Sequence, residues 1–185
     1  MRTTTMQSIS WYSKLVCSLA LACLIVGGCS RIVVTTAAKE QTAEYLKDPT
    51  VQVLFPEKLK SLELAMIDEQ VGLPEFGFSW QGYRGVYQKG GQQFEVLVLE
   101  KMGRDNFKAL HDAVKQTAID NGDNPERLRF NNASYTFWSG DGRVYRFYPL
   151  EGDVIVFRAQ NHVSQLPLVK DYLQQRTAAV PLAAN

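Results

Sequence analysis

Two stretches of this chain repeat the same order of signals, and that order restricts the fold more than any other feature. In the first, Phe76-Gly77-Phe78-Ser79-Trp80 and Gly82-Tyr83-Arg84-Gly85-Val86-Tyr87 read as strands. Lys89-Gly90-Gly91 reads as a turn, and Phe94-Glu95-Val96-Leu97-Val98-Leu99 as a third strand. Asp105 or Asn106 can then cap a helix that carries Phe107, Leu110 and Val114 on one side and ends before Gly122. In the second, the strands are Ser134-Tyr135-Thr136-Phe137-Trp138, Arg143-Val144-Tyr145-Arg146-Phe147-Tyr148 and Val154-Ile155-Val156-Phe157, with a turn at Glu151-Gly152-Asp153. Ser164 can cap the closing helix, with Leu166, Val169 and Leu173 inward and Pro167 tolerated in the first turn.

Glycine takes positive φ without steric cost, so Gly90-Gly91 and Gly140-Asp141-Gly142 favour hairpins and therefore antiparallel neighbours. Two strand-strand-strand-helix units of this kind predict an α+β fold: an antiparallel, curved sheet with both helices packed on one face. The matched order fits a duplication, although identity extends little beyond Val86-Tyr87 against Val144-Tyr145. Upstream, residues 57–68 are ambiguous. Leu59, Leu62 and Met66 recur at helical spacing behind Pro56, while Leu62, Leu64 and Met66 alternate as in a strand, the reading favoured for 61–68. The expected globular domain spans 51–176, with a frayed tail over 177–185.

The N-terminus carries a different message. Arg2 and Lys14 are the only charged residues before Cys29. They flank or precede an apolar run, Leu15 to Val26, broken only by Ser18. A helix of that length covers ~18 Å, short of the ~30 Å hydrocarbon core, which is signal-peptide rather than membrane-spanning length. The run ends in Val26-Gly27-Gly28-Cys29. This resembles the lipobox of bacterial lipoproteins: an aliphatic residue, two small residues for close approach of the peptidase, then a cysteine to receive lipid. The resemblance implies a signal peptide over 1–28, removed before Cys29, with Val26, Gly27 and Gly28 as peptidase recognition residues. It also implies diacylglyceryl attachment to Cys29 and N-acylation of the new terminus, and two or more chains make anchoring stable. Ser30 in place of the aspartate of the enteric retention rule favours the periplasmic face of an outer membrane. The competing reading is an uncleaved anchor, against which Gly27-Gly28 and Arg31 interrupt the stretch. Residues 29–50 then read as lipidated cysteine and tether, with a short polar helix or coil before Asp48-Pro49.

Composition narrows the partners. Past Cys29 the chain holds 18 basic against 19 acidic residues, so it has no electrostatic footprint for nucleic acid. All three cysteines lie within the first 29 positions, which leaves the folded part without a disulfide. No catalytic or metal constellation emerges from spacing, and no cofactor is expected. His111 and Asp112 are helical neighbours pointing about 100° apart, and His162 lies in the loop before the second helix. Ser139 lacks a nucleophile elbow and belongs to a hairpin. The loop at 120–126 gathers oxygen ligands suited to calcium but not at EF-hand spacing, so a plain turn is favoured. Arg143 and Arg146 read as an exposed strand face. The remaining feature is aromatic density on the strands: Trp80, Tyr83, Tyr87, Trp138, Tyr145 and Phe147 are a candidate binding face, against the simpler reading that they fill the core.

These features together predict a membrane-anchored, non-enzymatic envelope lipoprotein. Its small domain would bind or assemble with an envelope protein, glycan or lipid. The alternatives are a periplasmic carrier of an apolar ligand and a hydrolase with acidic catalytic residues.

Overall fold

Strands β4 (Gln92–Leu99) and β8 (Asp153–Gln160) are apolar on both sides, and the whole architecture is arranged to cover them. The computed structural model describes residues 32, 34–123, 129–131, 134–160 and 163–179. In chain order these form α1 (Thr36–Tyr45), α2 (Pro49–Leu54), β1 (Lys58–Leu59), β2 (Leu62–Leu73), a 3-10 turn (Pro74–Phe76), β3 (Phe78–Lys89) and β4. Then follow α3 (Gly103–Asp120), β5 (Arg129–Asn131), β6 (Ser134–Trp138), β7 (Arg143–Leu150), β8 and α4 (Gln165–Ala179).

The eight strands make one curved antiparallel sheet in the order β1-β2-β3-β4-β8-β7-β6-β5. The α+β class and the hairpins follow the sequence expectation. Gly90 and Gly91 both take positive φ between β3 and β4, as do Glu151 and Gly152 between β7 and β8. The ambiguous segment is a short hairpin, β1 to β2, with Lys60 at positive φ in its turn. The first unit differs in detail: residues 78–89 are one continuous strand, and its first member is β2 rather than 76–80.

The helices are placed otherwise than expected. Phe94, Val96 and Val98 of β4, with Ile155 and Phe157 of β8, pack with Leu168, Val169 and Tyr172 of α4 and with Val51, Leu54 and Phe55. Leu97 and Leu99, with Val154 and Val156, pack instead with Leu110, Val114 and Ala118 of α3. Successive strand residues point to opposite faces, so α3 and α4 cover opposite faces of the sheet rather than one. The physical reason is that runs apolar on both faces must be buried on both. A half-turn about an axis through the β4–β8 seam would superpose the two meanders but keep both helices on one face. The halves are therefore not symmetry copies.

The segment expected to be a tether is part of the fold. α1 forms as the polar helix, capped by the Thr35 hydroxyl, which accepts from the Ala38 N–H at 3.2 Å. Thr42 is buried, and its Oγ1 donates to the Ala38 carbonyl at 2.7 Å while accepting the Ile67 N–H at 2.8 Å. That bond covers part of the outer edge of β2, which β1 pairs only at its start. An open edge is a template for unwanted pairing, and a helix laid along it removes the hazard. Pro49 begins α2 with Asp48 as its cap, the Asp48 Oδ1 accepting from the Thr50 N–H at 2.8 Å. The folded region thus starts near Thr36, not Val51.

In α4 the inward residues are Gln165, Leu168, Val169, Tyr172 and Arg176, while Leu166 is 60% exposed, contrary to the sequence assignment. α3 begins at Gly103, so Asp105 and Asn106 lie inside its first turn, where Asn106 donates to the Met102 carbonyl at 2.7 Å. Behind α2, the Phe55 ring lies directly on the β3 backbone at Gly85, where an added Cβ would sit 2.4 Å from the ring. Tyr87 and Tyr172 donate to the Pro56 and Leu54 carbonyls at 3.0 and 2.9 Å. Burial holds both phenols above their ordinary pKa, so they stay protonated donors. Gly85→Ala should therefore cost ~1–3 kcal/mol in urea unfolding through overpacking. A Phe55→Leu change in the same chain should recover part of that loss.

Candidate functional site

A lone acid or base inside an apolar strand is expensive unless partnered, and the sheet contains several such residues side by side. Asp68 of β2 is register-paired with Arg84 of β3, and Glu95 of β4 with Arg158 of β8. Arg158 is in turn paired with Tyr145 of β7. All point to the α3 side of the sheet. Arg84 donates to both Asp68 oxygens, Nε to Oδ1 at 2.9 Å, and reaches Glu95 Oε2 at 3.7 Å. Arg158 donates through Nη2 to Glu95 Oε2 at 2.5 Å and through Nη1 to Glu75 Oε1 at 2.7 Å, the latter from the 3-10 turn. Gln93 donates to the other Glu95 oxygen at 3.2 Å.

The result is a ladder of alternating charge across four strands, spanning the seam between the two meanders. Its central pair is well shielded, with Glu95 and Arg158 side chains 10% and 13% exposed. The surface pair Lys47–Glu44 is more than two-thirds exposed at both ends and is worth little by comparison. Burial pulls the Arg158 pKa down, but Glu95, by charge and hydrogen bond, and then Glu75 outweigh it and leave the net shift upward. Burial and the Glu75 charge raise the Tyr145 phenol, against which Arg158 and Arg143 act. Three carboxylates are thus held against two guanidiniums, an arrangement that fixes strand register.

The aromatic candidates are not brought to one face. Tyr87 is buried in the layer under α4, whereas Tyr145 and Phe147 are buried in the layer under α3. There Phe76 meets Tyr145 edge-on with ring centroids 5.1 Å apart, and Phe147 stacks on Tyr135 at 4.2 Å. Tyr83 packs edge-on against Tyr45 of α1 at 5.9 Å. Trp138 and Trp80 are half-buried, and Trp80 borders a groove of about 520 Å³ with Ser79, Gln81, Glu100 and Lys101. Core filling accounts for most of the set.

Other candidates are placed as follows. His111 stands edge-on to Tyr135 at 5.2 Å, and its Nδ1 is 3.4 Å from Asp112 Oδ1. The two side chains do approach, despite their divergent origins on the helix, but Asp112 is largely exposed and solvent screens the contact. Ser139 serves its hairpin: its hydroxyl and the Arg143 N–H both donate to Asp141 Oδ1, at 2.7 and 3.1 Å. Arg143 and Arg146 point to opposite faces and are partly covered. The first pairs with Asp141 at 3.2 Å, and the second donates to Thr136 at 3.0 Å. Residues 120–123 close α3, with Gly122 at positive φ and the Asp123 N–H donating to the Ala118 carbonyl at 2.8 Å. Cys29, Val26, Gly27, Gly28, His162 and residues 124–126 lie outside the described residues. Among the described residues no group of three His, Cys, Asp or Glu side chains has metal-binding geometry.

No protein-family model matches the sequence. No curated protein matches it either. Among solved structures, a GTP binding regulator from Thermotoga maritima aligns at 12% identity with a TM-score of 0.42, covering 71% of this chain and 84% of that one.

None of the ladder residues is legible from spacing, but Glu95 carries a signal. It is a single acid inside Phe94–Leu99, and such a residue demands a buried partner. Glu95→Gln should destabilise the protein by roughly 2–4 kcal/mol by leaving Arg158 undercompensated. The pair Glu95→Leu with Arg158→Met should lose less than the sum of its single changes, read from urea midpoints of all four proteins.

Proposed function

We propose that the protein is a lipid-anchored lipoprotein of the bacterial cell envelope whose α+β domain binds an envelope partner rather than transforming a substrate. The observation that carries this reading is Val26-Gly27-Gly28-Cys29 at the end of a twelve-residue apolar run. The position of α1 adds a spatial consequence. If Cys29 holds the lipid and the fold starts at Thr36, the intervening chain reaches at most ~25 Å when fully extended. The domain then rides close to headgroups, placed to meet membrane-associated partners. Ser30 in place of aspartate favours the outer membrane.

Two features support binding over the alternatives. The acids gathered on the sheet are engaged with guanidinium groups, unlike the free carboxylates a hydrolase would need. The centre of the layer between the sheet and α4 is filled by aromatic rings. Phe157 stacks on Phe94 at 5.8 Å and meets Tyr172 edge-on at 5.3 Å, and these rings occupy the volume a carried apolar ligand would need.

Cys29→Ala tests the anchor in a lipoprotein-competent host. The wild-type protein should pellet with membranes and lose its first 28 residues, with added acyl mass on the new N-terminus. The variant should lose the acyl mass and stay uncleaved. An intact-mass difference equal to the Cys-to-Ala exchange alone would sink the reading.

A further inference from the structure

Among the described residues the most exposed large apolar side chains are Leu166 on α4 and Ile119 on α3, 60% and 49% exposed. Their surroundings differ in charge. Ile119 closes its helix beside Asp120 and Asp123, with no base in that last turn. Leu166 shares a stripe of α4 with Lys170 and Leu173, one and two turns on. Among the described residues Lys170 forms no hydrogen bond or ion pair. Lys60, Tyr148, Leu166, Pro167, Lys170 and Leu173 border one open groove of about 550 Å³ along the outer side of α4. The acid in that groove, Asp171, is already engaged. It accepts the Lys60 N–H at 2.7 Å and lies 3.9 Å from Lys60 Nζ. Apolar side chains flanked by lysines suit the boundary between acyl chains and headgroups, where lysine stems lie flat and the ammonium tips reach phosphate.

The path of the chain points to the same surface. Thr42 of α1 meets Ile67, and three residues later Tyr45 meets Tyr83, the register partner of Glu69. α1 therefore runs in the same direction as β2, and its first turn lies toward the β1–β2 turn that carries Lys60. The bond from the Lys60 N–H to Asp171 fastens that turn to α4. The polypeptide leading in from the apolar run Leu15 to Val26 thus enters the fold on the Lys60 side. α3 covers the opposite face of the sheet, so its outward side faces away from any bilayer that α4 lies against. We propose that the outward side of the first half of α4 is the membrane-contact surface of the domain. Leu166 and Pro167 sit among the headgroups, and Lys60 and Lys170 meet the phosphates of anionic phospholipid. A second copy of the chain seated there would have to bury the unpaired Lys170 ammonium, whereas an anionic surface neutralises it.

The proposal rests on the membrane anchor proposed above, and its test separates the two. A mature chain lipidated at Cys29 has no free thiol, so Gln174→Cys on α4 and Ala109→Cys on α3, both exposed positions, each supply one for a polarity-sensitive nitrobenzoxadiazole label. Should the chain carry no lipid, the Cys17→Ala, Cys23→Ala, Cys29→Ala protein gives the same comparison through its uncleaved apolar run. The labelled proteins are reconstituted into vesicles of phosphatidylethanolamine with phosphatidylglycerol, or of phosphatidylcholine alone, with nitroxide-bearing lipid as quencher. On the anionic vesicles the label at 174 should shift to the blue and be quenched, and the label at 109 should do neither. Leu166→Asp should remove that shielding while Leu166→Phe retains it. Lys170→Glu should lower the ratio of docked to free label about fivefold or more, the factor one lysine contributes near an anionic surface. Flotation with both labels equally exposed would overturn this proposal and leave the anchor standing. A wild-type chain that floats with neither vesicle would overturn both. Shielding unmoved by Leu166→Asp, equal on the two lipids, or rising with the protein-to-lipid ratio as a second copy requires, would each overturn the assignment.

Discussion

Burial of both faces of β4 and β8 is the constraint from which the rest of the architecture follows. An antiparallel meander ordinarily keeps one face wet, and a helix on the other face completes a two-layer domain. Here the central strands carry Phe94, Val96 and Val98 on one side and Leu97 and Leu99 on the other, all essentially inaccessible. Each such side chain is worth roughly 1.5–3 kcal/mol when buried and forfeits that when exposed. One helix cannot cover both sides, so α3 crosses one face on its way to β5 and α4 returns across the other. The N-terminal helices and Phe55 complete the second layer. Three layers, rather than the two that alternation alone favours, are the consequence.

The same constraint explains why the charged ladder is costly and why it is placed where it is. At the seam between β4 and β8 a one-residue slip would exchange every apolar side chain between the α3 layer and the α4 layer. Since both layers are apolar, hydrophobic pattern alone distinguishes the two registers poorly. Glu95 opposite Arg158 distinguishes them sharply, because a slipped register would bury each charge without its partner. Glu75 adds a third point by tying the turn between β2 and β3 to the same guanidinium. The ladder thus specifies alignment at the one place where greasy strands leave it underdetermined.

What the sequence discloses follows from the range of each interaction. Turns are local, so Gly90-Gly91 and Glu151-Gly152 were readable from a few residues, as was the stop of α3 near Gly122. The strand identity of 62–73 was half-readable, because its alternation is interrupted by bulges near Leu64–Met66 and Val71–Leu73. Helix side was misread at two levels. Leu166 looked inward by spacing but is displaced outward by the packing of Leu168 and Tyr172. Two units of matched order suggest a shared helix face, whereas the unbroken apolar runs of β4 and β8 require cover on both sides. The site was least legible. Asp68, Arg84, Glu95 and Arg158 are spread over 90 positions of chain, and only the register brings them together. Aromatic density had the opposite fault, since it gathered Tyr87, Tyr145 and Phe147 into one imagined face when strand parity and two layers send them apart.

If Cys29 carries lipid as proposed, the docking of α1 links the fold to the anchor. A helix spanning Thr36–Tyr45 would, if merely a spacer, let a lipidated domain drift well clear of the bilayer. Bound through Thr42 to the Ile67 N–H, it instead ends the tether at its first turn and covers the strand edge at the same point. One hydrogen bond to a buried backbone donor is worth only about 1 kcal/mol net, but leaving that donor unpaired costs more than the bond gains. Release of α1 would therefore lengthen the leash and open an edge of β2 in a single step. The reach of such an anchor and the protection of the sheet would then be set by the same contact. Selection on either would preserve the buried threonine.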